Sequence, residues 1–61
     1  MSGGSQRFFR VYPNLPLNER GNVCAVVNNE PVSWRIAKLE IENNTEVGIE
    51  ILEQLIRLEI I

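Results

Sequence analysis

The carboxyl-terminal third of this chain carries more apolar side chains than a one-sided helix needs. On a helix of about 100° per residue, the aliphatic residues between Glu46 and Ile61 form two separate stripes, and the polar residues keep a narrow third arc. The first stripe comprises Val47, Ile51, Leu55 and Leu58, and the second comprises Ile49, Leu52, Ile56 and Ile60. A helix that packs on one side of a domain needs only one such stripe. We therefore predict that the first stripe faces the core and the second faces a partner.

The length of the chain makes this surplus important. A domain of 61 residues rarely gains more than about 3–5 kcal/mol from its core without a disulfide, a metal or oligomerisation. The single cysteine, Cys24, excludes an intrachain disulfide, and one cysteine with scattered glutamates and no histidine gives no zinc-like ligand spacing. Oligomerisation is the remaining source of stability, and fully burying one aliphatic side chain contributes roughly 1.5–3 kcal/mol.

Charge is divided unevenly along the chain, although the net charge is only −2. Residues 1–38 hold five basic and two acidic residues, whereas residues 39–61 hold one arginine and six glutamates. The two halves are therefore expected to attract each other, within one chain or between two chains.

Composition also indicates the organisation of the chain. Residues 1–6 are small and polar, and we expect them to be disordered, with residues 7–61 forming a single small α+β domain. We find no signal peptide and no run of the roughly 18–20 apolar residues that a membrane span requires. The lone thiol fits a reducing, cytoplasmic location.

Two strands are expected before the helices. Arg7–Tyr12 is rich in aromatic and β-branched residues and is predicted as the first strand, followed by a loop at 13–21. Asn22–Asn28 is predicted as the second strand, because Val23–Val27 is short and continuously apolar or small. An antiparallel hairpin of these two strands is the simplest topology.

Two helices are expected to complete a ββαα fold. The first is predicted to start near Glu30–Ser33 and to end at Glu42, and the second is predicted to be N-capped by Thr45. An alternative is a second β-hairpin over 38–51 with a three-residue loop at 43–45, followed by one C-terminal helix. Good helix formers between 37 and 42 favour the two helices.

Catalytic chemistry has little support in this sequence. Without histidine the commonest general base is absent, and the serines have no local base. Cys24 lies inside a predicted strand, where a buried structural thiol is expected. The glycines form no phosphate-binding loop. We therefore predict a non-enzymatic protein with no cofactor, no metal and no small-molecule substrate.

Two functions remain. The leading hypothesis is a protein-interaction module that forms a homodimer, or binds a larger protein, through Ile49, Leu52, Ile56 and Ile60. The alternative is a small nucleic-acid-associated or regulatory factor in which arginines interleaved with aromatics contact phosphates and bases. Its candidate contact residues are Arg7, Arg10, Arg20, Arg35 and Lys38.

Overall fold

The chain folds as one helix, a β-hairpin and two further helices. A computed structural model describes residues 3–61. The elements are α1 (Gly3–Val11), short 3-10 turns at Tyr12–Asn14 and Leu17–Glu19, β1 (Val23–Val27), β2 (Glu30–Ser33), α2 (Trp34–Glu42) and α3 (Glu46–Arg57). The expected mixture of helices and strands is present. The predicted order ββαα is wrong, because a helix precedes the hairpin.

The predicted strand Arg7–Tyr12 is instead the end of helix α1 followed by the first residue of a 3-10 turn, so the predicted pairing of this segment with Val23–Val27 is also wrong. In a strand, Phe8, Arg10 and Tyr12 would share one face, and the arginine would enter the core. In the helical conformation, Phe8 on α1 and Tyr12 directly after it are four residues apart and both are buried, while Arg10 is exposed. Their rings stack with centroids 5.6 Å apart.

The sequence predicts that residues 1–6 are disordered, and the structure describes four of these six residues. Residues 3–6 form the first turn of α1, and Met1 and Ser2 lie outside the described residues.

The hairpin is formed by β1 and β2, which pair antiparallel with Val27 opposite Glu30. Asn28 and Asn29 make the two-residue turn with φ of 53° and 65°, the left-handed values that such hairpin turns require and asparagine tolerates. The prediction of a strand at Asn22–Asn28 is confirmed by β1. Glu30–Ser33, predicted to begin a helix, is instead the second strand. Pro31 fits there because an edge strand has no need of every N–H donor.

Helices α2 and α3 confirm the favoured interpretation of residues 38–50, and the alternative hairpin over 38–51 is wrong. Ser33 caps α2 by accepting a hydrogen bond from the Ile36 N–H at 3.2 Å, and Thr45 caps α3 in the same way with Gly48 at 3.0 Å. Asn44, at a φ of 54°, ends α2 and lets the chain turn within three residues.

Gly48 permits a close approach between α2 and α3. A Cβ atom at this position would lie 2.6 Å from the carbonyl oxygen of Glu40, well inside van der Waals contact. The backbone of α2 at Glu40 therefore contacts the backbone of α3 at Gly48, where no side chain intervenes. This contact fixes the face of α3 that turns toward the core.

The core lies between the three helices and one face of the hairpin. Its buried apolar residues are Phe8, Tyr12, Ala25, Val27, Val32, Ala37, Ile41, Ile51, Leu52 and Leu55. Among the described residues, none of the helices has the length and apolar character needed to cross a membrane.

A candidate interaction surface on helix α3

The buried face of α3 falls between the two predicted stripes. Ile51 and Leu55 from the first stripe are buried, as is Leu52 from the second, with Gly48 beside them. Gly48 explains this rotation, because the helix side that approaches α2 most closely must carry no side chain. Of the remaining members, Val47, Ile49 and Ile56 lie on α3, whereas Leu58 and Ile60 follow its end.

One flank of α3 forms a shallow apolar cavity of about 450 Å³, which we call the α3 groove. Its aliphatic lining is Ile41, Ile49, Leu52 and Ile56, and its polar lining is Ser5, Asn44 and Glu53. Helix α1 thus supplies one wall and the end of α2 supplies another. The lining offers aliphatic contact and a few hydrogen-bonding groups at the edge, which suits binding of an apolar side chain.

The structure brings three of the four predicted interface residues into this groove. Ile49 is 52% exposed, Ile56 is half-buried and Leu52 is already buried in the core. Ile60 is 44% exposed, but it follows the end of α3 and does not line the groove. Sequence reasoning missed Ser5 and Ile41, because it did not foresee that α1 and α2 border the same side of α3.

Unpaired charges lie on the helices that border the groove. Glu50 and Glu53 are exposed on α3, and Arg7 and Arg10 are exposed on α1. Within residues 3–61, the ion pair that forms is Lys38 with Glu42, so these four side chains keep their charges for solvent or for another molecule. Arg7 and Arg10 had been predicted as nucleic-acid contacts.

The other three predicted nucleic-acid contacts, Arg20, Arg35 and Lys38, meet at a second cavity of about 400 Å³. Tyr12, Leu39 and Glu42 complete its lining, and we call it the Tyr12 cavity. It shares no lining residue with the α3 groove. The five predicted cations are therefore divided, since Arg7 and Arg10 do not line this cavity.

Cys24 is the one thiol of the chain, and it is half-buried in β1. Burial raises the pKa of the thiol from 9.0 to about 11, although a hydrogen bond with its own backbone acts in the opposite direction. The protonated thiol is a poor nucleophile at neutral pH. The described residues also contain no group of three or more acidic or cysteine side chains placed to hold a metal ion.

Comparison of this chain with protein-family models, with curated proteins and with solved structures finds no significant match. The function proposed below is therefore inferred from the geometry and the charges of the chain itself.

Proposed function

We propose that this protein is a small non-enzymatic interaction module that forms a homodimer through the α3 groove. The observation that carries the proposal is the groove itself, an apolar cavity of about 450 Å³ in which Ile49 stays more than half exposed. The lone, protonated thiol is compatible with a reducing compartment, and we place the module in the cytoplasm.

The energetics favour a weak, concentration-dependent dimer. Ile49, Ile56 and Ile60 are each partly exposed, so burying the rest of each side chain contributes about 1 kcal/mol. Two copies double that sum, and the loss of translational and rotational freedom is subtracted from it. A dissociation constant between about 1 μM and 1 mM, or about −8 to −4 kcal/mol, is expected only with contacts beyond these three side chains, because their sum of about 6 kcal/mol is offset by that cost.

Charge complementarity favours a second copy as the occupant. In a two-fold symmetric interface, each surface patch meets its own image, so groups on α1 of one copy can face groups on α3 of the other. The exposed arginines of α1, Arg7 and Arg10, are opposite in sign to the exposed glutamates of α3, Glu50 and Glu53, and all four lack an ion-pair partner within residues 3–61. Charges at the rim of an interface fix orientation and speed association more than they strengthen it.

Ile49→Glu tests the proposal without disturbing the core, because the side chain is 52% exposed. The matched control is Leu17→Glu, which places the same charge at an aliphatic side chain that is 74% exposed and lies outside the groove. We expect Leu17→Glu to dimerise like the unmodified chain in light-scattering measurements, and Ile49→Glu to stay monomeric with an unchanged circular dichroism spectrum.

Either of two results contradicts this interface. One is a dimer that survives Ile49→Glu, which places the contact elsewhere on the molecule. The other is equal loss of the dimer in both variants, which reports a general effect of added negative charge. An unmodified chain that is monomeric at every accessible concentration would favour a larger protein as the partner.

A further inference from the structure

The Tyr12 cavity concentrates positive charge in a chain that is acidic overall. Three cations, Arg20, Arg35 and Lys38, line it against one carboxylate, Glu42. The chain as a whole has a net charge of −2, so this excess is local. We propose that the Tyr12 cavity binds a phosphate group of a small phosphorylated molecule.

Arg20 is held in place at the wall of the cavity. Its Cζ lies 4.8 Å from the centroid of the Tyr12 ring, and its Nη2 donates a hydrogen bond to the carbonyl oxygen of Pro13 at 3.3 Å. The Arg20 Nε is buried and has no hydrogen-bond partner among the described residues. A buried donor without an acceptor is rare in folded proteins, and a shift of the Arg20 side chain toward the cavity would let a bound anion supply the acceptor.

Arg35 provides a second guanidinium. Its backbone N–H donates to the carbonyl oxygen of Arg20 at 3.0 Å, which ties the two arginines together through the main chain. Its side chain is exposed and makes no hydrogen bond or ion pair within residues 3–61. The guanidinium therefore remains available to a ligand, and its planar fork matches the oxygens of a phosphate.

Lys38 completes the set one helical turn after Arg35. Its Nζ lies 2.9 Å from Oε2 of Glu42 and 5.9 Å from the Tyr12 ring centroid. The ion pair neutralises one cation, so Arg20 and Arg35 supply the excess of two positive charges. A phosphate monoester carries close to two negative charges at neutral pH, which matches this excess better than a single carboxylate does.

A single phosphate group fits this arrangement better than a nucleic-acid backbone does. Binding along a backbone requires cations spread over several successive phosphates. Here three cations share one cavity of about 400 Å³, and Arg7 and Arg10 do not line it. That volume lies in the range of small-molecule sites.

Titration with pyrophosphate tests the proposal, with calorimetry for stoichiometry and ¹⁵N NMR for the arginine Nε–H groups. We expect saturation at one ligand per chain and a change in the Nε–H signals of Arg20 and Arg35. Arg35→Gln should weaken binding at least about tenfold, because charged hydrogen bonds are lost. Arg7→Gln removes the same charge from an exposed position outside the cavity, and we expect its affinity to stay within about twofold of the unmodified chain.

Three results would overturn this site. The first is an absence of saturable binding up to about 20 mM pyrophosphate at low salt. The second is an equal loss in Arg7→Gln and Arg35→Gln, which would reflect net charge alone. The third is a single-stranded oligonucleotide that binds far more tightly than pyrophosphate with a steep dependence on salt, which would replace the single-phosphate site with a backbone-binding surface.

Discussion

The side-chain amide of Gln54 forms two hydrogen bonds with the backbone of Val26. Its Nε2 donates to the Val26 carbonyl oxygen at 2.7 Å, and the Val26 N–H donates to its Oε1 at 3.0 Å. The Gln54 side chain thus pairs with the N–H and C=O of Val26 at the edge of β1, as the backbone of a neighbouring strand would. This contact attaches α3 to the hairpin and blocks that edge against pairing with another chain.

Gln54→Ala should therefore destabilise the fold. Losing two hydrogen bonds at a partly exposed position is expected to cost about 1–2 kcal/mol, measured by urea unfolding at low protein concentration. Gln6→Ala is the matched control, since Gln6 is exposed on α1, and its cost should stay below about 0.5 kcal/mol. Faster hydrogen exchange at the Val26 amide in Gln54→Ala alone would locate the effect. Equal stability of the two variants would contradict this role for Gln54.

Gly48→Ala should also destabilise, against the usual preference of helices for alanine. The added Cβ would meet the Glu40 carbonyl oxygen at 2.6 Å, so α2 and α3 must separate, at a cost of about 1–3 kcal/mol. At Gly21 the nearest atom to an added Cβ is 3.9 Å away, so Gly21→Ala should be neutral or stabilising. Thermal unfolding of both variants measures the difference, and a Gly48→Ala variant as stable as Gly21→Ala would rule out the close approach.

Glu59→Gly should stabilise the chain. Glu59 adopts a φ of 58° at the end of α3, where the Ile60 N–H bonds to the Leu55 carbonyl oxygen at 2.9 Å. Glycine adopts this conformation without the steric cost, so the free energy of unfolding should rise by about 0.5–1 kcal/mol. Glu53→Gly, inside the same helix, should lower it by about 1 kcal/mol. Denaturant midpoints that move in the same direction for both variants would contradict this reading of the helix end.

Cys24 should react slowly with iodoacetamide in the folded chain. Because burial raises its pKa to about 11, the thiolate fraction at pH 8 is roughly 100-fold smaller than at a pKa of 9. The rate should have its midpoint near pH 11 in the folded chain and near 9 in urea. By linkage, the stability from this group is present below pH 9 and is lost as the pH rises through 11. A folded-state midpoint near 9 would show that the thiol is not desolvated.

Local capping signals predicted the two C-terminal helices, although the first of them begins later than expected. Ser33 and Thr45 both act as N-caps, and β1 lies inside the predicted strand. Helix α1 was missed because its aromatic and β-branched residues also suit a strand. Only the exclusion of Arg10 from the core distinguishes a helix from a strand in this segment. Strand β2 was missed because Asn28 and Asn29 were expected to end a strand, although two residues that tolerate positive φ are a hairpin signal.

The surface of α3 could be predicted only in part. Periodicity showed that the helix carries surplus apolar area, and Ile49 and Ile56 do remain at the surface. It could not place Leu52, because the rotation of α3 depends on Gly48 contacting α2 and on α1 lying beside α3. Tertiary contacts of this kind have no signal in the pattern of one segment.

Sedimentation equilibrium of the unmodified chain tests self-association most directly. A dimer through the α3 groove predicts an average mass that rises with concentration from 7.0 kDa toward twice that value, with a dissociation constant below about 1 mM. A mass that stays at 7.0 kDa up to about 1 mM would contradict it.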